Sequence, residues 1–177
     1  KITGAEALLR WRHPRMGVIP PSRFIPLAEE TGLIHDIGRW TLWEAARRCR
    51  DWVDKLQPEP GQFKVSVNLS ARQLDDVSIV EEVERVLDEM GFDPSFLVLE
   101  ITETAMMNAA PELLDDLSSL GVPLAIDDFG TGYCSLSYLQ RFPVDVLKID
   151  RQFVGELDTD PHHATLAEMI LQLTSGL

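Results

Sequence analysis

Positive charge is scarce in this chain. Sixteen Lys and Arg stand against 29 Asp and Glu, a formal net charge of −13. Loose binding to DNA, RNA or an anionic membrane needs a basic surface. No nucleic-acid polymer is therefore expected as a partner. A small anionic ligand stays open if local cations are supplied, and clustered carboxylates acquire these as metal ions. Cysteine is also rare. Cys49 and Cys134 stand in no spacing typical of a zinc site or redox motif. A buried thiol at Cys49 and a loop thiol at Cys134 are expected, and a reducing, cytoplasmic compartment fits them. No apolar run approaches the length that crosses a bilayer, and the opening residues do not read as a signal peptide. Direct membrane contact by this segment is not expected. Low-complexity tracts and clear internal repeats are lacking too. The chain opens at Lys1 without Met, from which a longer parent protein is expected.

What is present is an ordinary globular balance. The 177 residues are 45% hydrophobic, enough for one domain over 1–177 with a sizeable core. Gly4 to Trp11 reads as a strand end running into a loop. Pro21 to Glu30 reads as a short helix, with Pro at its start and Gly32 past its end. His35 to Leu56 carries Ile37, Trp40, Leu42, Trp43, Ala46 and Trp52 at helical spacing, with its aromatics expected in the core. Gln57 to Gly61 breaks that helix. Phe63 to Leu69, Phe96 to Ile101, Val122 to Ile126 and Val144 to Ile149 read as strands. Ile79 to Met90 and Pro111 to Leu120 read as helices between them, each followed by a glycine, Gly91 or Gly121, where a left-handed cap is wanted. A last helix is expected over about His163 to Thr174. Alternation of helices with strongly apolar strands implies a parallel sheet, barrel or doubly wound.

The polar residues favour the barrel. Glu6, then Asn68 and Ser70, then Glu100 and Glu103, then Asp127 and Asp128, then Lys148 and Asp150 all fall at the carboxyl ends of successive strand segments. In a parallel barrel those ends converge on one mouth, where active sites are built. A carboxylate inside an apolar strand is costly unless a partner neutralises it. Glu6, Asn68, Glu100, Asp127 and Asp128 are all oxygen donors, with no His or Cys among them. Such a set selects magnesium or manganese over zinc. The adjacent Asp127 and Asp128 could hold two ions side by side, the usual device for in-line attack on a phosphate diester.

The motifs are more specific than the pattern. Glu6-Ala-Leu-Leu-Arg-Trp-Arg-His-Pro14, Arg23-Phe-Ile-Pro-Leu-Ala-Glu-Glu-Thr-Gly-Leu-Ile34, Val67-Asn-Leu-Ser70, Glu100-Ile-Thr-Glu103, Asp127-Asp-Phe-Gly-Thr-Gly132 and Leu147-Lys-Ile-Asp150 follow one another in family order. Together they resemble the EAL domain family of cyclic di-GMP phosphodiesterases. The resemblance implies a TIM-type (β/α)8 barrel. It implies that Glu6, Asn68, Glu100 and Asp127 hold a first Mg²⁺ or Mn²⁺, and that Asp127 and Asp128 hold a second. Lys148 would hold the attacking water and steady charge near the phosphate. Arg10 would contact a substrate phosphate, with Leu8 beside the substrate. Glu103 would anchor the loop Phe129 to Ser135. Cys134 stands where Ser is commoner in the family. The implied reaction opens cyclic di-GMP to linear pGpG, with Ca²⁺ inhibitory.

The family pattern also reaches beyond this chain. A strand carrying a further glutamate, a later Gln-Gly and an earlier strand with another glutamine would complete the barrel. Residues 1–177 alone are therefore expected to be incomplete and inactive, with hydrolysis belonging to the parent domain. A homodimer, and tethering to sensor or GGDEF-type domains in a parent that is cytoplasmic or membrane-anchored, are further implications.

Other readings stay open. A catalytically silent module could bind cyclic di-GMP or a protein partner, and it would show eroded metal ligands. A barrel lysine at Lys148 could instead form a Schiff base, which needs an apolar site rather than five metal-type ligands. Read singly, Asn68 could satisfy backbone groups, Asp127 and Asp128 could cap a turn, and Lys148 or Arg10 could pair with a nearby acid. His13, His35, His162 and His163 fall in a loop, near a helix start and in an acidic stretch, and are not expected in catalysis. Glu81, Glu82 and Glu84 are expected on a solvated helix face.

Overall fold

The computed structural model describes residues 2–130 and 142–150. Five strands form one parallel sheet: β1 (Gly4–Ala7), β4 (Lys64–Leu69), β5 (Leu97–Thr102), β6 (Leu124–Phe129) and β7 (Val146–Ile149), in the order β1-β4-β5-β6-β7. The strands appear in chain order and run parallel, with helices between β1 and β4, β4 and β5, and β5 and β6. That is the winding of a TIM-type (β/α)8 barrel, of which the described residues form a part.

Parity along the strands decides which residues meet. Val65, Val67 and Leu69, Leu97, Leu99 and Ile101, and Leu124 and Ile126 lie on one face and pack into the main core. Burying each such side chain is worth about 1.5–3 kcal/mol. The intervening residues Glu6, Asn68, Glu100, Asp127 and Lys148 must then point to the opposite face.

Helices cover the apolar face. In α2 (Leu33–Leu56) the buried side includes Leu42, Ala45, Ala46 and Cys49, and α4 (Ser78–Met90) buries Ile79, Val83 and Val86 at spacings of four and three. The α6 helix (Pro111–Ser119) buries Leu113, Leu114 and Leu117. Gly91 ends α4 at φ 60, a left-handed conformation open to glycine, as its position in sequence implies.

Several expectations need correction. The loop after β1 contains an antiparallel hairpin, β2 (Trp11–His13) with β3 (Gly17–Ile19), ahead of α1 (Pro21–Thr31). His13 Nδ1 accepts from the backbone N–H groups of Arg15 and Met16, both at 3.2 Å, and so closes that hairpin. The aromatics of α2 are not all core: Trp40 is 61% exposed. Two short helices, α3 (Ala71–Leu74) and α5 (Glu103–Asn108), follow β4 and β5.

Glu82 is buried rather than solvated. It accepts from Trp43 Nε1 on α2 and pairs with Arg39 at 3.4 Å and Arg85 at 3.2 Å. Its partners lie up to 43 residues away in sequence, so the local acidic run does not reveal it. Cys49 is buried and free, as expected, and burial pushes its thiol up to about 11. Cys134, most of the loop to Ser135, His162, His163 and the last expected helix lie outside the described residues. Among those described, no helix is long and apolar enough to cross a membrane.

Candidate metal centre at the strand ends

Glu6 leaves the end of β1, Asn68 the end of β4, Glu100 the body of β5, Asp127 the end of β6 and Lys148 the end of β7. Asn68 and Glu100 are direct partners in the β4–β5 register. Glu6 pairs with Ser66, two residues before Asn68, and Glu100 pairs with Ala125, two residues before Asp127. All share one parity, so the stagger of the sheet gathers them on one side of its carboxyl edge.

One carboxylate oxygen from each of Glu6, Glu100 and Asp127 lies within 4.8 Å of the others. Lys148 Nζ sits among them, 2.8 Å from Glu100 Oε2, 3.1 Å from Asp127 Oδ1 and 3.9 Å from Glu6 Oε2. Asn68 Nδ2 donates to Glu6 Oε1 at 2.8 Å, and among the described residues no hydrogen bond to its amide oxygen is seen. Glu100 is only 3% exposed, between the buried Leu99 and Ile101. An ionised carboxylate is tolerable there because a cation is at hand.

Burial pulls the Lys148 pKa down, but hydrogen bonds to Glu100 and Asp127 and the charges of both outweigh it. The net shift is upward from the ordinary 10.5. A lysine raised in this way contributes stability that is present in full below 10.5 and is lost as pH climbs through the raised value. In Glu100→Gln a main upward cause is gone, so the alkaline loss is expected to be smaller and to be complete at lower pH. Urea unfolding between about pH 8 and 12 measures it, and an unmoved alkaline limb would contradict the ion pair.

The β6–β7 register slips between Ile126 and Phe129, where an extra residue enters β6. Asp128 takes φ 54 at that bulge, a conformation that few residues other than Gly, Asn and Asp adopt readily. Phe129 returns to the core. Partial desolvation, then the charges of Asp127 and Asp150, raise the Asp128 pKa from its ordinary 3.8. The penalty on its charged form sets in as pH rises through 3.8 and persists at neutrality. Asp128→Asn removes the charge and tolerates the same backbone. It is expected to raise the metal-free melting temperature by about 1–3 °C, allowing for solvent screening. A lowered value would contradict the account. The carboxylate of Asp150, placed by the sequence at a strand end but not among the metal ligands, stands beside Asp128.

Glu103 begins α5 and is 2% exposed. Its Oε2 accepts from Gly130 N–H at 3.0 Å, so it holds the chain just beyond Asp128. Arg10 lies apart. Its guanidinium donates to Leu9 O at 2.8 Å, and among the described residues no ion pair joins it to the carboxylates. Leu8 is exposed. It lines a cavity of about 360 Å³ with Pro21, Ile25, Asn68, Ser70 and Thr102, at the same edge of the sheet.

The donor set fits hard divalent cations. Ligand oxygens of one magnesium ion, each about 2.1 Å from it, stand up to about 4.2 Å apart. A spread of 4.8 Å needs only slight contraction. The Lys148 ammonium marks the point as one where positive charge is stable.

The model of the EAL domain matches residues 1–177. The bifunctional diguanylate cyclase/cyclic di-GMP phosphodiesterase MucR of Pseudomonas aeruginosa is 48% identical over 173 residues, 96% of this chain and 25% of that protein. The cyclic di-GMP phosphodiesterase PdeR of Escherichia coli is 38% identical, over 100% of this chain and 27% of that protein. The chain thus spans about a quarter of the length of these curated relatives. Among solved structures, the PaMucR phosphodiesterase in complex with c-di-GMP superposes with a TM-score of 0.88 at 45% identity, covering 97% of this chain and 69% of that one. The FimX EAL domain from Pseudomonas aeruginosa bound to c-di-GMP gives 0.82 at 27% identity, covering 97% and 68%. Motifs, parallel winding and a family match along the whole length agree: this chain belongs to the EAL domain family.

Proposed function

We propose that the full-length protein hydrolyses cyclic di-GMP to linear pGpG, using Mg²⁺ or Mn²⁺ held at this centre. The observation that carries the proposal is the meeting of Glu6, Glu100 and Asp127 oxygens within 4.8 Å, drawn from three separate strands. The relatives named above support the substrate. In this reading Glu6, Asn68, Glu100 and Asp127 hold a first ion, and Asp127 with Asp128 a second. When bound, such ions neutralise phosphate charge and acidify a water for in-line attack.

The chain's own residues do the rest. Lys148, carried by β7 beside Glu100 and Asp127, orients the water and faces developing negative charge at phosphorus. The new P–O bond forms as the P–O3′ bond breaks, and the 3′ oxygen leaves to take up a proton. Arg10, exposed near the cavity lined by Leu8, swings from Leu9 O to a substrate phosphate. Glu103 holds the Gly130 end of the loop that follows Asp128. In the same reading this domain works in the cytoplasm, tethered to sensor or GGDEF-type domains of a parent that is cytoplasmic or membrane-anchored, and pairs as a homodimer.

The test is release of pGpG by the full-length protein. Turnover is expected with Mg²⁺ or Mn²⁺, with loss on chelation and inhibition by Ca²⁺, whose longer bonds suit the site poorly. Turnover that persists after thorough chelation would sink the metal reading. Tight binding of cyclic di-GMP without turnover under either ion would favour the silent binding module.

A further inference from the structure

We propose that Gln73 is a positioning residue for the metal centre: seated against Gly38 of α2, its amide holds the turn after β4 and so the placement of Asn68. The inference rests on the metal-centre reading above.

Gly38 lies buried within a 24-residue helix. Glycine inside a helix costs about 1 kcal/mol relative to alanine, so a reason is wanted. A Cβ built at Gly38 would stand 2.1 Å from Gln73 Nε2, 2.6 Å from its Cδ and 2.9 Å from its Oε1. The whole amide of Gln73 therefore rests on the bare backbone of α2. Gln73 is itself 4% exposed.

The amide is not free to slide away. Its Oε1 accepts from Ser70 N–H at 3.1 Å, and Ser70 Oγ accepts from Gln73 N–H at 3.4 Å. These reciprocal bonds form a capping box at the start of α3. At four residues, α3 is too short to hold its own direction by burial, and the clamp against α2 supplies what it lacks. Ser70 lies two residues past Asn68, whose amide donates to Glu6 at 2.8 Å. A path thus runs by contact from Gly38 through Gln73 to Ser70, along the chain through Leu69 to Asn68, and by hydrogen bond to Glu6. Groups that orient metal ligands in this way typically matter 10–100-fold in affinity.

Mn²⁺ titration of the full-length protein, followed by the electron paramagnetic resonance of free ion and paired with melting curves, tests it. Gln73→Ala is expected to bind Mn²⁺ about tenfold more weakly. Gln73→Glu keeps the acceptor for Ser70 N–H and is expected to stay within about twofold of wild type. Val83→Ala, a core change on α4, is expected to lower the melting temperature and leave Mn²⁺ affinity unchanged. Gly38→Ala, which drives a methyl into the amide, is expected to weaken binding as well. It should add nothing once Gln73 is alanine.

Wild-type affinity in Gln73→Ala would overturn the inference, as would an equal loss in Val83→Ala. If Gln73→Ala does not fold, Gly38→Ala carries the comparison, and unchanged affinity there overturns the inference. Wild-type protein that does not bind Mn²⁺ at this centre overturns both this inference and the metal-centre reading. A Gln73-specific failure leaves that reading standing.

Discussion

Replacing Glu100 by Gln is expected to lower cyclic di-GMP hydrolysis by about three orders of magnitude with the fold intact. Glu100 sits on the central strand of the sheet, 3% exposed, with Leu99 and Ile101 locked in the core on either side. Its carboxylate cannot be replaced by a neighbour swinging in. Gln keeps the volume, so packing is conserved and only a negative charge is lost. A bound ion contributes several kcal/mol of charge stabilisation in the transition state, and about 4 kcal/mol corresponds to a thousandfold in rate. Lys148 keeps Asp127 at 3.1 Å, so the melting temperature should fall only modestly with the lost Glu100 pair. Steady-state kinetics at saturating Mn²⁺ measure the effect. Activity within about tenfold of wild type would remove Glu100 from the centre.

Lys148→Met is expected to push two observables in opposite directions. Without the ammonium, carboxylates from Glu6, Glu100 and Asp127 face one another unneutralised. The metal-free melting temperature should fall by roughly 2–6 °C, a discounted value because Lys148 is partly exposed. Divalent ions should then restore more stability to the variant than to wild type, because they no longer compete with a resident cation. Hydrolysis should nevertheless fall by about a hundredfold or more, since charge facing the phosphate is gone. Thermal shifts with and without Mn²⁺, set beside turnover, separate these effects. A smaller Mn²⁺ shift in the variant would mean that Lys148 assists ion binding rather than competing with it.

Much of this arrangement was legible in sequence because it depends on short-range pattern. Alternating or continuous apolar strands placed β4 to β7 within a few residues, and the glycine after α4 marked its end. Period-two parity then required that Asn68, Glu100 and Lys148 share a face opposite Val67, Leu99 and Leu147. What escaped depends on contacts between distant segments. The β2 and β3 strands have three residues each, too short for any period to show. The bulge at Asp128 is visible only against the register of β7. Glu82 reads as one of several surface acids until Trp43 and Arg39 of another helix close over it. Gln73 carries no signal in the sequence until Gly38, 35 positions earlier, is found beneath its amide.

Anomalous diffraction from crystals of the full-length protein soaked in Mn²⁺ is the most direct measurement. The expected result is a peak about 2.1 Å from oxygens of Glu6, Asn68, Glu100 and Asp127, with Lys148 Nζ displaced from its present position among them. A strong peak elsewhere, with Lys148 still bridging Glu100 and Asp127, would contradict the account.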